Sequence, residues 1–140
     1  MRVLLDTDVV LDVVLAREPF AQKSAQLFKL HEQGKIDAYM AAITPINVFD
    51  ITRKLKGADA ARLAVELLLM SLAVCPLSHT VLADAYKLPF GDYEDGVQHA
   101  SATASGLDTI VTRDIDDYKN STLQIFSPTD FLTKLELHQT

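Results

Sequence analysis

Short apolar, β-prone runs alternate along this chain with stretches of helical periodicity, and that alternation constrains the fold more than any other feature. The runs are Arg2-Val3-Leu4-Leu5 and residues 38–43, 72–75, 109–112 and 123–126. Between them lie segments with helical spacing. One opens at Asp8 with Thr7 or Asp8 as its cap; others cover 20–33, 46–53 and 58–70. A further helix runs from a Ser78 cap to about Lys87, one covers 93–105, and a last one 130–137. Thr44-Pro45 reads as a cap and first-turn proline, while Gly34, Gly57 and Gly106 read as stops. Parallel neighbours need crossover connections, usually helical, so the order predicts a mostly parallel sheet with helices on both faces. A length of 140 residues suits one domain over 1–140.

In sheets of this kind ligands collect outside the carboxyl ends of the strands, which directs the search for chemistry to those ends. Asp6 follows the first run directly, Asn47 lies beyond the second, and Asp114 stands two residues after the 109–112 run. Asp95 sits in the acidic first turn Asp92-Tyr93-Glu94-Asp95 of the 93–105 helix. Each acid alone also suits a cap or a turn. Together they make a crevice of carboxylates whose mutual repulsion calls for a divalent cation. Oxygen ligands without a His or Cys cluster suit Mg²⁺ or Mn²⁺, which can bridge a phosphate and lower the pKa of a bound water. Metal-dependent phosphodiester hydrolysis is the expectation.

Charge argues against one class of partner contact. Lys and Arg number 13 against 19 Asp and Glu, a net charge of −6, so affinity for nucleic acid cannot come from a broad basic surface. The one local basic cluster, Arg53, Lys54 and Lys56, offers either a guide for a nucleic-acid backbone or a solvated helix end. The tyrosines at 39, 86, 93 and 118 form no base-stacking stripe. Asp6, Asp8 and Asp12 interrupt the first apolar stretch too early for a signal-peptide core. The longest uncharged stretch, 67–83, is broken by Pro76, so the chain reads as cytoplasmic, with no membrane partner. Cys75, the single cysteine, reads as a small core residue.

Three motifs in order resemble the PIN-domain family. Leu4-Leu5-Asp6-Thr7-Asp8-Val9-Val10-Leu11-Asp12 is similar to its opening, with Asp8 where Asn is common. Asp95-Gly96-Val97-Gln98-His99-Ala100-Ser101-Ala102 resembles its acid-led helix, and Val111-Thr112-Arg113-Asp114-Ile115-Asp116-Asp117-Tyr118 its fourth motif. The resemblance implies a three-layer α/β/α sandwich around a parallel sheet, Mg²⁺ or Mn²⁺, and endoribonuclease activity on RNA. Members of this size are often VapC-type toxins held inactive by a small antitoxin. It further implies that Asp6 and Asp95 bind metal, with Asp114 a third ligand and Asp117 the next candidate. Thr112 and Ser101 are candidates to hydrogen-bond the acids, or else satisfy backbone.

One position departs from the family. Its usual Thr-x-x-Glu is here Thr44-Pro45-Ile46-Asn47, so an amide replaces a carboxylate that could bind metal or act as a base. Asp50, three residues on, is a candidate to supply the missing charge. The alternative is a PIN-like binding module with weakened or no catalysis. His99, four residues after Asp95, suits water positioning or simple packing; Arg113 suits site neutralisation, an RNA phosphate or an ion pair. The segments 21–30 and 63–70 offer apolar faces to the core, to a second copy in a homodimer, or to an antitoxin. A haloacid-dehalogenase-type phosphatase would use Asp6 as nucleophile and Asp8 as acid/base. Its later motifs fail here, since Asp92 follows a short, proline-broken Leu88-Pro89-Phe90.

Overall fold

The computed structural model describes residues 1–138. Five strands form one all-parallel sheet: β1 (Arg2–Leu5), β2 (Asp37–Ala41), β3 (Ala73–Cys75), β4 (Thr109–Val111) and β5 (Gln124–Phe126). Their spatial order is β3-β2-β1-β4-β5. The helices are α1 (Thr7–Val14), α2 (Ala21–Glu32), α3 (Ile43–Lys56), α4 (Ala58–Ser71), α5 (His79–Lys87), α6 (Tyr93–Ala104) and α7 (Pro128–His138). A 3-10 turn covers Ile115–Tyr118. No helix among the described residues is long and apolar enough to cross a membrane.

The period-two alternation of a strand divides the core in two. Val3 and Leu5 face a layer built from α1, α2, α3, α4 and α7, where they pack with Val9, Leu27, Val48 and Phe131. Leu4 faces the opposite layer with Ala102, Ile110, Cys75 and Tyr118. There α5 and α6 pack through Val81, Ala85, Val97 and Ala100. Gly96 permits this approach, because a Cβ there would stand 3.2 Å from the Ala85 carbonyl oxygen. The three-layer α/β/α expectation holds.

Element boundaries depart from expectation where tertiary bonds compete with local signals. Strand β2 ends at Ala41, and α3 starts at Ile43 with Ala42 as its N-cap residue. Thr44 is thus inside the first turn, with its buried hydroxyl bonded to the Thr7 hydroxyl at 2.9 Å. The N-cap position of α1 falls to Asp6, and its carboxylate makes no capping bond because other partners hold it. The last helix begins two residues before the expected start. Pro128 occupies its first turn, and the Ser127 hydroxyl accepts from the Asp130 amide at 3.0 Å.

The chain builds β1, β2 and β3 outward on one side, then returns to lay β4 and β5 on the other. The carboxyl ends of β1 and β4 therefore flank the point where the order reverses, where a crevice forms in open α/β sheets.

Candidate active site

Asp6 leaves β1 at that crevice and is 5% exposed. Its backbone amide continues the sheet by donating to the Val111 carbonyl at 3.0 Å. Gln98 Nε2 donates to Asp6 Oδ1 at 2.7 Å, and the Thr112 hydroxyl donates to Oδ2 at 2.6 Å. The Gln98 orientation is itself fixed, because its Oε1 accepts from the Thr7 amide at 3.2 Å. Thr112 in turn accepts from the Asp114 amide at 3.0 Å, which seats the loop after β4. Burial raises the Asp6 pKa against these hydrogen bonds, and the Asp114 charge adds to the rise.

Asp8 lies one helical step further, and burial, the Asp6 charge and the nearby Asp114 carboxyl push its own carboxyl up to about 8. Its Oδ1 is buried without a hydrogen-bond partner. Asp95 enters from the first turn of α6, where Asp92 caps the helix by accepting from the Glu94 and Asp95 amides at 2.8 and 3.3 Å. Desolvation, with the charges of Asp6, Asp92 and Asp117, pushes Asp95 up to about 7. The buried Tyr118 hydroxyl reaches Asp95 Oδ1 at 3.5 Å, and desolvation beside these acids raises the phenol pKa. Asp116 and Asp117 line a cavity of about 490 Å³ with Asp92 and Asp95.

Four sequence-selected acids, Asp6, Asp95, Asp114 and Asp117, thus share one electrostatic neighbourhood. Asp8 belongs with them, although in the sequence only the phosphatase comparison gave it a chemical role. Thr112 bonds Asp6 as one of its candidate roles required. Ser101 Oγ is buried without a hydrogen bond and touches no acid by one. His99 is a packing residue: both ring nitrogens are buried and unpartnered, Phe90 meets it edge-on at 5.2 Å, and desolvation lowers its pKa. Asp50 is exposed on α3, and Asn47 is met by Glu94, not by Asp50. Arg113 bonds Asp12 at 2.7 and 3.2 Å, and its charge also acts on Asp8, lowering that carboxyl's pKa against the larger effect of burial. Arg53, Lys54 and Lys56 lie at the far end of α3 from Thr44, about 14–18 Å along the axis at 1.5 Å per residue, where the helix dipole favours cations.

Two side chains that the sequence did not single out enter this geometry: Gln98 bonds Asp6 itself, and the exposed Glu94 accepts from Asn47. Gln98 could have been found by spacing, since it follows Asp95 by three on one helical face.

The donor set is all oxygen, and the orphaned Asp8 Oδ1 and the raised carboxyls fit a hard divalent cation. As the side chains stand, no group of three His, Cys, Asp or Glu among the described residues is close enough to hold one ion. Asp6 is turned towards Gln98 and Thr112 instead.

The raised pKa values carry a sign. Below about pH 4 Asp8 and Asp95 are protonated whether folded or unfolded; between there and pH 8 the folded chain retains protons that the unfolded chain releases. Stability in EDTA is therefore expected to fall as pH rises from 5 to 8. Added Mn²⁺ should raise the melting temperature more at pH 8 than at pH 5. Thermal melts at both values check this; an EDTA curve flat in pH would refute it.

A parallel α/β/α sheet with carboxylates clustered where its strand order reverses places this chain among the α/β proteins whose ligand crevice lies at the carboxyl ends of the strands. A PIN-domain model matches residues 2–116, and the chain belongs to the PIN domain family, whose members are generally nucleases. Among solved structures, DNA-bound VapBC from Salmonella typhimurium superposes with a TM-score of 0.72 at 17% identity, covering 91% of this chain and 98% of that one. VapBC2 from Rickettsia felis, bound to a promoter DNA fragment, gives 0.70 at 15%, covering 89% and 97%. VapC20 from Mycobacterium tuberculosis, a sarcin-ricin-loop-cleaving toxin, gives 0.62 at 11%, covering 77% and 86%. No curated protein matches the sequence.

Proposed function

We propose that this chain is a single-domain, divalent-metal-dependent endoribonuclease of the cytoplasm, the toxin half of a toxin–antitoxin pair. Asp6, Asp95 and Asp114 would hold Mg²⁺ or Mn²⁺, with Asp8 beside them. The observation that carries this is the convergence of these carboxyls from β1, α1, α6 and the loop after β4, with two raised to about 7 and about 8. When bound, the ion supplies Lewis acidity at a phosphoryl oxygen and a water of lowered pKa. Gln98 and Thr112 favour the ionised form of Asp6 by donating to it, against the burial that raises its pKa, and Tyr118 with Phe90 walls the Asp95 side with apolar surface. The test is cleavage of an RNA pool with Mn²⁺, Mg²⁺ or EDTA, beside Asp6→Asn prepared identically. Cuts that depend on metal and vanish in the variant support the proposal; equal or absent cutting in both overturns it and leaves a binding module.

The toxin assignment draws support from the fold shared with the VapBC complexes and from an apolar groove. Val13 and Val14 of α1, Phe28 of α2, and Leu63 and Leu67 of α4 line a cavity of about 420 Å³. Leu63 and Leu67 are each 55% exposed, so replacing them touches little of the core. Leu67→Glu is expected to shift stability by no more than about 0.5 kcal/mol. It should nevertheless abolish rescue when the chain is co-expressed with its antitoxin in a growth assay. Full rescue would place the antitoxin elsewhere.

A further inference from the structure

Position 47 carries an amide where a carboxylate is usual, yet a carboxylate stands beside it. Asn47 Nδ2 donates to Glu94 Oε1 at 3.2 Å, across 47 residues of sequence. A carboxylate only accepts hydrogen bonds, so the amide must turn its NH₂ towards Glu94 and leave its own oxygen free. This contact extends the side-chain bridges that build the site. On α3, Thr44 and Asn47 are three apart and share a face; on α6, Glu94 and Gln98 are four apart and share another. Thr44 bonds Thr7, and Gln98 bonds both Thr7 and Asp6. The two faces thus meet over the β1–α1 corner, with Gln98 on Asp6 and Glu94 one turn further out on Asn47.

We propose that Glu94 supplies the metal-binding carboxylate that position 47 lacks, with Asn47 as the positioning residue that holds it from the neighbouring helix. This rests on the metal-dependent reading above. The exchange is electrostatically consistent: a Glu at 47 would meet Glu94 as like charge, whereas an amide donates to it. The first turn of α6 is also a favourable place for that charge. The missing group has moved from one helix to the other.

The experiment is Mn²⁺ titration by calorimetry on the intact protein, with RNA cleavage read in parallel. Glu94→Gln is expected to weaken Mn²⁺ binding roughly 10–100-fold. The double variant Asn47→Glu with Glu94→Gln restores carboxylate and amide with their places exchanged, and should recover most of that loss. Glu66→Gln, exposed on α4, controls for the general loss of one negative charge and should leave binding unchanged. Mn²⁺ affinity in Glu94→Gln equal to the parent, while Asp6→Asn abolishes it, overturns the proposal for Glu94 and spares the metal site. Loss in Asp50→Asn in place of Glu94→Gln overturns it too. A parent protein that binds no Mn²⁺ removes both.

Discussion

Asp6→Asn is expected to lower metal-dependent RNA cleavage by roughly two to three orders of magnitude, the scale seen when one preorganised electrostatic group is removed from a reacting centre. The fold should survive, because the amide can reproduce the local hydrogen bonding. Its oxygen can accept from Gln98 Nε2, and its NH₂ can donate to the Thr112 oxygen once that hydroxyl rotates. Removing a desolvated charge that faces Asp8 and Asp114 should also raise the metal-free melting temperature by a few degrees, at about 4 °C per kcal/mol for a domain of this size. Loss of cleavage with gain of stability is the pairing that separates a chemical role from a structural one. Single-turnover cleavage and melts in EDTA read the two halves independently. An Asp6→Asn protein that unfolds would assign the residue to the architecture instead.

The second large effect is expected at a buried ion pair. Asp12 is fully buried in α1, and its carboxylate is clasped by Arg17 at 2.9 Å and by Arg113 at 2.7 and 3.2 Å. The Arg113 guanidinium also lies 4.0 Å over the Phe20 ring. Breaking a buried pair by removing one partner costs about 3–5 kcal/mol when the remaining charge is left uncompensated. Arg17 remains here, so Arg113→Ala is expected to lose about 2 kcal/mol. Arg113→Lys should recover only part, since an ammonium cannot make the two-pronged contact. Urea unfolding with an unchanged m-value measures this, and a loss below about 0.5 kcal/mol would reduce the clasp to a surface ion pair. Because Asp114 follows Arg113 directly, the alanine variant should also cleave more slowly.

The sheet was legible because apolar runs that stop at acids carry a local signature of buried strands, and α1 to α7 follow their own periodicities. The nearness of Asp6 and Asp114 was legible for a related reason: topology alone sends the ends of β1 and β4 to one crevice, which Asp95 approaches from α6. What the sequence hid lies in side-chain bonds across great separation. Thr44 carries the local signature of a helix cap, but its hydroxyl goes to Thr7 and the helix starts before it. Arg113 sits next to Asp114 in sequence, yet its guanidinium bonds Asp12, 101 residues away. Asn47 looked like a deficit because its partner is on another helix. Asp50, nearer in sequence, is exposed on α3, and Asn47 bonds Glu94. His99, at i+4 from Asp95 where Gln98 is at i+3, meets the Phe90 ring edge-on instead.

The bonds on Asp6 span nearly the whole chain. Its carboxylate is held by residues 92 and 106 positions later, and its amide by the carbonyl of Val111. The acid made first during synthesis thus waits for partners made last. A growing chain that has reached α4 carries β1, β2 and the apolar groove, but no Asp95, Asp114, Gln98 or Thr112. In the order of synthesis the lining of that groove on α1, α2 and α4 is therefore complete before α6 and the loop after β4 supply the other acids of the crevice.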